Sequence, residues 1–426
     1  MSGVVRPSLL LLLLPACAGS SGKTDTGDAP WAAESPCASG TWDSFLDPES
    51  AVHVRADGDD ESGDGSADAP LASLQAGLDL ARESDSLGSI AVGPGEFTAG
   101  VNLVAEGILS DDFSDDGLAL QGCGMDETVL VADSDDDPLV RIVGAMDVVL
   151  SDLALQGGRR ALWIWGGASA DISDVSVVDS TKVGIVVADT DTVVSLTGVT
   201  VTDVQSDDTS GTEIGYGISI ENGAATLSDT SVTGAVSVGI LVNGGDAVMS
   251  GVTVQETAQL SDGTLGRGIQ LQGQATAAIT DTTLAGNSDA GLFSRQSTSL
   301  DVDGLVVEAV GWSEIPDDED SSGDGIVVTG LDEAHSYDPA VFQTSVANSV
   351  LSDLDRAGMV LEHIEVAVEG NQIMNSALTS DDGVSIFYQD GAVVSGTDDM
   401  VELAEGGVME PLSIFRDEVQ LDTLDD

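Results

Sequence analysis

The chain has 426 residues, enough for two or three ordinary domains or for one long repeat domain. Its 12 Lys and Arg against 75 Asp and Glu give a formal net charge of −63 at pH 7. Such a field repels nucleic acid and anionic lipid surfaces, so we expect no nucleic-acid partner. The sequence shows no basic cluster, so we expect polyanionic substrates to be repelled as well.

The first residues predict export. MSGVVRPSLLLLLLPACAGSSG places Arg6 before a leucine run that is too short to cross a bilayer, which takes about 20 apolar residues. Leu14-Pro15-Ala16-Cys17 resembles the lipobox of bacterial lipoproteins, which implies an acylated Cys17 and, with Ala18 next, an outer-membrane or cell-surface location. We expect a signal peptide over 1–16 and a lipidated flexible tether over 17–40, the only membrane contact being the lipid; plain secretion is the alternative.

Two further cysteines, Cys37 and Cys123, are candidates for a disulfide, because an exported protein meets an oxidising compartment. Two buried free thiols are the alternative. The excess of aspartate resembles proteins of salt-adapted organisms, and either screening by salt or bound cations would relieve the repulsion within the chain.

Residues 41–135 are expected to form an N-terminal cap and the first coils. A short strand at 51–55 precedes an acidic, glycine-rich loop and then a helix opened by Pro70, in which Leu71, Leu74, Leu78 and Ala81 recur at helical spacing. VGPGEF and QGCGMDETVL follow as strands between glycine turns. This order resembles the N-terminal capping region of pectate-lyase-like β-helix proteins, and the resemblance implies their fold.

The self-similar part of the chain, 136–395, predicts parallel β-helix repeats, with a C-terminal cap or acidic tail over 396–426. A glycine followed by an apolar–any–apolar triplet recurs at intervals of 22 to 34 residues, at Gly184, Gly217, Gly239, Gly268, Gly291, Gly325, Gly358 and Gly383. The shortest interval is one coil, and longer ones are coils with an inserted loop. We therefore expect an all-β fold: a right-handed parallel β-helix solenoid with an N-terminal capping helix.

Alternation within the triplets assigns each residue to one side of the strand. The expected inward pairs are Ile185 and Val187, Ile218 and Ile220, Ile240 and Val242, Ile269 and Leu271, Ile326 and Val328, and Met359 and Leu361. The expected outward row is Trp163, Trp165, Val186, Leu241, Phe293, Val327 and Val360. An exposed aromatic row predicts stacking on sugar rings or contact with a protein. Its alternative is a row covered by the acidic tail or a long loop.

Inserted loops enter the same side of successive coils and form one face, where solenoids commonly bind ligands. The loop at 312–325 adds Trp312 to the candidate ligand-binding residues Trp163, Trp165 and Phe293. It also holds a dense group of oxygen donors of the kind calcium prefers. The candidate metal ligands are Asp317, Asp318, Glu319, Asp320 and Asp324, and calcium is the only cofactor expected; a merely solvated acidic loop is the alternative.

No catalytic residue is predicted. The resemblance to lyases and polygalacturonases of this fold implies aspartates accompanied by arginine, or by histidine and an R-I-K segment. Asp324, Asp381 and Asp382 stand in similar short motifs, but no such partners accompany them in the sequence. The three histidines, His53, His335 and His363, are expected to be surface or loop residues rather than catalysts.

These observations predict a non-catalytic cell-surface lipoprotein whose β-helix binds carbohydrate or a surface protein through an acidic loop face and an aromatic row. A divergent polysaccharide lyase or glycoside hydrolase, and a structural component of the envelope, are the alternatives, because a fold does not decide a function.

Overall fold

The computed structural model of the protein describes residues 51–83, 88–98, 100–106, 114–134, 138–207, 213–311, 323–330, 343–362, 364–376, 384–389, 392–397, 400–402 and 409–411. The predicted signal peptide and tether therefore lie outside the described residues. So do Cys17, Cys37, Trp312, Asp317, Asp318, Glu319, Asp320, His335, His363, Asp381 and Asp382.

In the described ranges the chain forms one helix and a long series of short strands. In chain order they are β1 (Val52–Val54), α1 (Leu74–Glu83), β2 (Ser89–Val92), β3 (Gly95–Thr98), β4 (Val101–Val104), β5 (Ala119–Gln121), β6 (Thr128–Val131), β7 (Pro138–Val143), β8 (Val148–Gln156), β9 (Arg160–Trp165), β10 (Ser169–Val178), β11 (Val183–Ala188), β12 (Val193–Thr197), β13 (Thr200–Thr202), β14 (Gly215–Glu221), β15 (Ala224–Ser228), β16 (Ser231–Thr233), β17 (Ser237–Asn243), β18 (Asp246–Ser250), β19 (Thr253–Gln255), β20 (Arg267–Gln272), β21 (Thr276–Thr280), β22 (Thr283–Ala285), β23 (Ala290–Arg295), β24 (Ser299–Asp303), β25 (Val306–Glu308), β26 (Asp324–Thr329), β27 (Gln343–Ala347), β28 (Val350–Leu354), β29 (Ala357–Glu362), β30 (Glu365–Glu369), β31 (Gln372–Ser376), β32 (Val384–Gln389), β33 (Val393–Thr397), β34 (Met400–Glu402) and β35 (Met409–Pro411).

These strands build two sheets along one axis. Sheet A has 24 strands, and sheet B has 11, in the order β4-β7-β9-β11-β14-β17-β20-β23-β26-β29-β32. Every pairing in sheet B is parallel, and each step to the next strand is one coil of the chain. The predicted all-β parallel β-helix is confirmed. No helix in the described ranges combines the length and the apolar character needed to span a bilayer.

The core lies inside the coils and consists of stacked aliphatic side chains. Ile185 pairs with Ile218, which pairs with Ile240, and all three are fully buried. Each predicted inward pair is buried in this way, so the strand alternation was predicted correctly. The stack offers one apolar layer per coil and makes a single continuous core.

The repeated glycine before each triplet has a steric cause. A methyl group built on Gly217 would lie 2.5 Å from the carbonyl oxygen of Gly239, and one on Gly239 would lie 2.7 Å from that of Gly268. Real side chains do not tolerate such contacts, so these glycines stack directly on one another from coil to coil.

Many aspartates lie where the backbone is left-handed, at corners between strands or at single positions inside β8, β10 and β28. Asp and Asn adopt this conformation more readily than other residues with a side chain. Among the described residues, the aspartates with positive φ are Asp147, Asp152, Asp174, Asp179, Asp189, Asp191, Asp203, Asp229, Asp281 and Asp353. Part of the acidity thus has a conformational cause, in addition to any role in salt or cation binding.

The capping helix is confirmed, but it begins at Leu74 rather than at Pro70. Leu71 forms a parallel bridge to Val54, which keeps this part of the chain extended. Ser73 then caps the helix, because its Oγ accepts a hydrogen bond from the backbone N–H of Ala76 at 3.2 Å. The Asp60 carboxylate accepts hydrogen bonds from the backbone of residues 72 and 73, which fixes the acidic loop to the helix start.

Candidate functional site

The outer face of sheet B carries the predicted outward row. Its register places Arg141 beside Trp163, and the row continues through Val186, Ser219, Leu241, Gln270, Phe293, Val327 and Val360. The row was expected either to be exposed or to be covered by the acidic tail or a long loop. In the structure its aliphatic members are buried and its aromatic members are half-buried. The aliphatic part therefore offers no exposed surface.

Trp163 and Trp165 lie two residues apart on β9, so both point outward. Their rings are stacked, with centroids 5.2 Å apart and planes inclined by 15°. The indole Nε1 of Trp165 is buried and has no hydrogen-bond partner within the described part of the chain. The pair thus forms a rigid aromatic support on the second half of β9.

Arginines gather on the same support. The guanidinium carbon of Arg160 lies 4.8 Å from the centroid of Trp163, and that of Arg141, one coil earlier, lies 5.8 Å from it. Both contacts fall within the range of cation–π attraction. Because Trp163 also stacks on Trp165, its ring holds guanidinium groups in place rather than offering an open platform for a sugar.

Arg159 and Lys182 complete a cluster that we call the basic–aromatic patch: Arg141, Arg159, Arg160, Trp163, Trp165 and Lys182. Arg159 pairs with Asp207 at 2.9 Å, and Ser219 donates to the carboxylate of Glu221 at 3.0 Å. Among the described residues, these four cations thus interact with one another and with two carboxylates, in a chain whose net charge is −63. The expectation that the chain lacks a basic cluster was therefore wrong.

The cations of the patch interact with one another. Burial, and then the nearby Arg159 and Arg160, lower the pKa of Lys182, while Asp207 and Glu221 oppose this shift. Burial and Arg159 likewise lower the pKa of Arg160. Tyr216 lies on β14 and has a raised pKa because of burial and Glu221. An anion entering the patch would relieve the repulsion among its cations.

The other end of sheet B holds a second arginine–aromatic arrangement. The guanidinium carbon of Arg267 lies 3.6 Å from the centroid of Phe293, and its Nε donates to Asp289 at 2.6 Å. Phe293 also packs on a small apolar cluster of Ala290, Val327, Ala357 and Val360. Arg267 and Asp289 thus pair with each other, and the aromatic ring covers apolar side chains.

Asp324, one of the candidate metal ligands, belongs to this second region and is fully buried. Arg356 donates to both of its carboxylate oxygens, and the backbone N–H of Ala357 donates to Oδ1 at 3.2 Å. Burial raises the pKa of Asp324 against the opposing effect of Arg356. Its oxygens are thus engaged by protein groups and do not fit a calcium ligand. The structure shows no group of three or more metal-ligating side chains among the residues it describes.

The remaining candidates lie in the cap. His53 was expected at the surface but is buried within β1. Cys123 is disulfide-bonded. Because its partner is outside the described residues, pairing with Cys37 stays a prediction.

Comparison with known proteins supports the fold. Residues 160–330 match the family model described as a right handed beta helix region. Together with the parallel sheets, this match confirms the predicted right-handed parallel β-helix. No curated protein sequence matches the chain significantly.

Several solved structures are similar to the chain at low identity. The catalytic domain of a GH87 alpha-1,3-glucanase in complex with tetrasaccharides is 13% identical, with a TM-score of 0.43, covering 83% of this chain and 69% of its own. A pectate lyase is 10% identical, with a TM-score of 0.47, covering 82% of this chain and 79% of its own. The Dettilon tailspike protein is 12% identical, with a TM-score of 0.47, and the alignment covers 82% of this chain and 61% of the tailspike chain. With such identities, the ligand has to be argued from the residues.

Proposed function

We propose that this protein is a non-catalytic surface receptor that binds an anionic glycan at the basic–aromatic patch. The observation that carries the proposal is the placement of Arg141 and Arg160 over Trp163, with Arg159 and Lys182 close enough to interact with Arg160, in a chain of net charge −63. A strongly acidic protein gains nothing in solubility from such a cluster. Guanidinium groups bind carboxylate and sulfate groups in two-point contacts, and the Trp163 ring holds two of these guanidinium groups in place.

The placement of the cations supports a polymeric ligand that runs along the solenoid axis. Arg141 lies on β7, Arg160 on β9, and Lys182 directly before β11. Neighbouring strands are about 4.8 Å apart, so successive coils present successive cations. The negative field of the remaining surface would guide such a ligand away from other parts of the protein and leave this patch as its point of contact.

Glycan binding is tested by calorimetric titration with oligogalacturonate, a sulfated oligosaccharide and a neutral oligosaccharide of equal length. We expect the anionic ligands to bind and the neutral one not to bind. R160Q removes a cation that forms no ion pair with the residues the structure describes, and it should weaken binding more than tenfold. R55Q is the matched control, because Arg55 pairs with Asp57 in the cap, away from sheet B. Equal binding by all three ligands, or by R160Q and the unaltered protein, would refute the proposal.

Cleavage of the glycan is the second candidate function. It is favoured by one observation: Asp289 and Asp324 act on each other electrostatically on the same outer face. Each of them is bound by an arginine, so we assign them to ion pairs. Lyase and hydrolase assays on polygalacturonate and alginate, with calcium present, decide the question. Turnover that is lost in D289N and kept in D301N, an exposed aspartate of sheet A, would make the protein an enzyme.

Anchoring through Cys17 is part of the proposal, and its support is the leucine run that ends at this cysteine. Cell fractionation of C17S should move the protein from the membrane to the soluble fraction. If the variant remained as firmly bound to the membrane as the unaltered chain, the lipid anchor would be wrong.

A further inference from the structure

The Lys and Arg residues of the solenoid are confined to one side of it. Within the described ranges, every Lys and Arg that follows the cap lies in, or directly before, a strand of sheet B. Most of them belong to the basic–aromatic patch or to the ion pairs of Arg267 and Arg356. The remaining one is Arg295, the last residue of β23. It is exposed and forms no ion pair or hydrogen bond with the residues that the structure describes.

Arg295 shares an outward row of sheet B with Trp165. The register carries this row through Ala188, Glu221, Asn243 and Gln272 to Arg295, and then to Thr329 and Glu362. The neighbours of Arg295 on both sides of the row are therefore uncharged. The carboxylates of the row lie at least two strand steps away from it, which is about 10 Å.

The amide of Gln272, the neighbour of Arg295, has a fixed orientation. Arg267 Nη1 donates to Gln270 Oε1 at 3.2 Å, and Gln270 Nε2 donates to Gln272 Oε1 at 2.8 Å. Because a guanidinium group can only donate, Gln270 has to face it with its oxygen, and its –NH2 group then meets the oxygen of Gln272. The –NH2 group of Gln272 donates to no acceptor in the described part of the chain. Gln272 therefore offers the donor end of this relay.

The start of the relay is rigid. Arg267 Nε donates to Asp289 at 2.6 Å, and the guanidinium carbon of Arg267 lies 3.6 Å from the centroid of Phe293. Hydrogen bonds in a chain polarise one another, so the cation at the start strengthens the donor at Gln272. Gln272 and Arg295 thus place an amide donor and a guanidinium on neighbouring strands. Donors of this kind bind the oxygens of carboxylate and sulfate groups.

From these observations we infer that Gln272 and Arg295 form a second anion subsite, which binds a carboxylate or sulfate group of a glycan already held at the basic–aromatic patch. This inference rests on the proposed function and adds the minimum length of the ligand. From β9 to β23 there are five strand steps, so the ligand carries two anionic groups about 24 Å apart. The patch captures the ligand, and the subsite acts only on a ligand that is long enough to reach it.

The test is calorimetric titration with the dimer and the octamer of galacturonate. The dimer is too short to span the two sites, whereas the octamer is long enough. One ligand that occupies two sites binds more tightly than at either site alone. We therefore expect the octamer to bind the unaltered protein at least tenfold more tightly than the dimer does.

Variants of the subsite should remove this gain. R295Q should weaken octamer binding about tenfold, the equivalent of one charged hydrogen-bonded contact, and Q272A should weaken it several-fold. Q270A, which breaks the relay without removing a donor of the subsite, should also weaken octamer binding, because Gln270 positions Gln272. All three variants should bind the dimer as the unaltered protein does, which also shows that they are folded. Q255A is the matched control, because Gln255 bonds Thr233 on sheet A.

The outcomes separate the inference from the proposed function. If neither ligand binds, or if R160Q leaves the binding of the dimer unchanged, the proposed function fails, and the inference fails with it. If the dimer binds but the octamer binds no more tightly, the inference alone is overturned. A gain that arises only from the larger number of acidic units on the octamer would survive in R295Q and Q272A, and this result would overturn the inference as well.

Discussion

The outer face of sheet B carries two arginine–aromatic arrangements that differ in how their charges are balanced. In the basic–aromatic patch, four cations interact with one another and with two carboxylates of the described residues, beside a tryptophan pair. In the region of Arg267 and Arg356, each arginine has its own aspartate, and Phe293 covers apolar side chains. The same residue types therefore serve two purposes. Paired charges hold neighbouring coils together, whereas unbalanced charges create an attraction for a ligand from outside.

The largest expected effect concerns the buried pair of Asp324 and Arg356. D324A leaves the Arg356 guanidinium partly buried without its carboxylate. Loss of one partner of a buried ion pair typically costs about 3–5 kcal/mol. We expect the free energy of unfolding in urea to fall by this amount. E221Q, which removes a carboxylate from the patch, should change stability by much less.

If D324A were as stable as the unaltered protein, the second arrangement would not hold the coils together, and the contrast between the two regions would disappear. D301N serves as a control, because Asp301 lies exposed on sheet A.

Two matched arginine variants compare the regions directly. R267Q removes the partner of Asp289 and should lower the free energy of unfolding by about 1–3 kcal/mol, with little effect on binding of an acidic sugar. R160Q relieves repulsion among cations, so its stability should be unchanged or higher, but its binding free energy for an acidic sugar should weaken by about 1.5–3 kcal/mol. Thermal melts give the change in stability of each variant, and calorimetric titrations give the change in its binding free energy for an acidic sugar. If R267Q weakened binding as much as R160Q, the two regions would not differ in function.

Salt should act on stability and on binding in opposite directions. Ions screen the repulsion within a chain of −63, so the melting temperature should rise between low salt and 1 M NaCl. The same ions screen the attraction between the patch and an anionic glycan, so affinity should fall several-fold.

Millimolar calcium at constant ionic strength adds a test of the acidic loop at 317–320. A rise in melting temperature beyond that caused by the same concentration of magnesium would support the predicted calcium site. A melting temperature indifferent to all these ions would contradict both the screening argument and the site.

The fold could be predicted because its constraints recur with every coil. Stacked glycines such as Gly217 and Gly239 cannot be replaced without a clash, and the inward aliphatic pairs must alternate, so both leave a visible period in the sequence. The corners leave a weaker signal. A methyl group on Gly198 would lie 2.7 Å from the Oδ1 atom of Asp174, a left-handed residue inside β10 of the preceding coil. Aspartate in one coil is followed by glycine at the corresponding position of the next coil. This conformational requirement accounts for some of the acidic residues that the sequence analysis attributed only to salt adaptation or calcium binding.

The basic–aromatic patch was missed because its cations are far apart in sequence. Arg141 precedes Trp163 by 22 residues, and Arg160 precedes Lys182 by 22 residues, which is the length of the shortest coil. The same period of 22 residues, searched for among the charged and aromatic residues as well as the glycines and aliphatics, would have predicted that these side chains are neighbours on successive coils. Ion pairs such as Arg356 with Asp324 leave no such period, because inserted loops make the coils unequal, and burial decides which charges meet.

The smallest expected effect concerns the charge of Lys182 at alkaline pH. Lysine attracts an anion only when protonated, so its contribution is complete below its pKa and lost as the pH rises through it. Because burial, Arg159 and Arg160 lower this pKa, affinity for an acidic sugar should begin to fall at a lower pH than for an ordinary lysine. The stability of the fold should change in the opposite sense. Because the pKa of Lys182 is lower in the folded protein than in the unfolded chain, the unfolded chain binds more protons between the two pKa values. The free energy of unfolding therefore rises with pH in this range.

K182R separates this effect from others, because arginine stays charged across the whole range. Binding of glucuronate by K182R should be independent of pH between 7 and 10, whereas the unaltered protein should lose a few-fold in affinity. Tyr216 does not confuse the comparison, because its raised pKa keeps it neutral to higher pH than an ordinary tyrosine. K182M should bind weakly at every pH. If K182R kept the alkaline loss, another group would titrate in the patch, and Lys182 would not contribute its charge to the ligand.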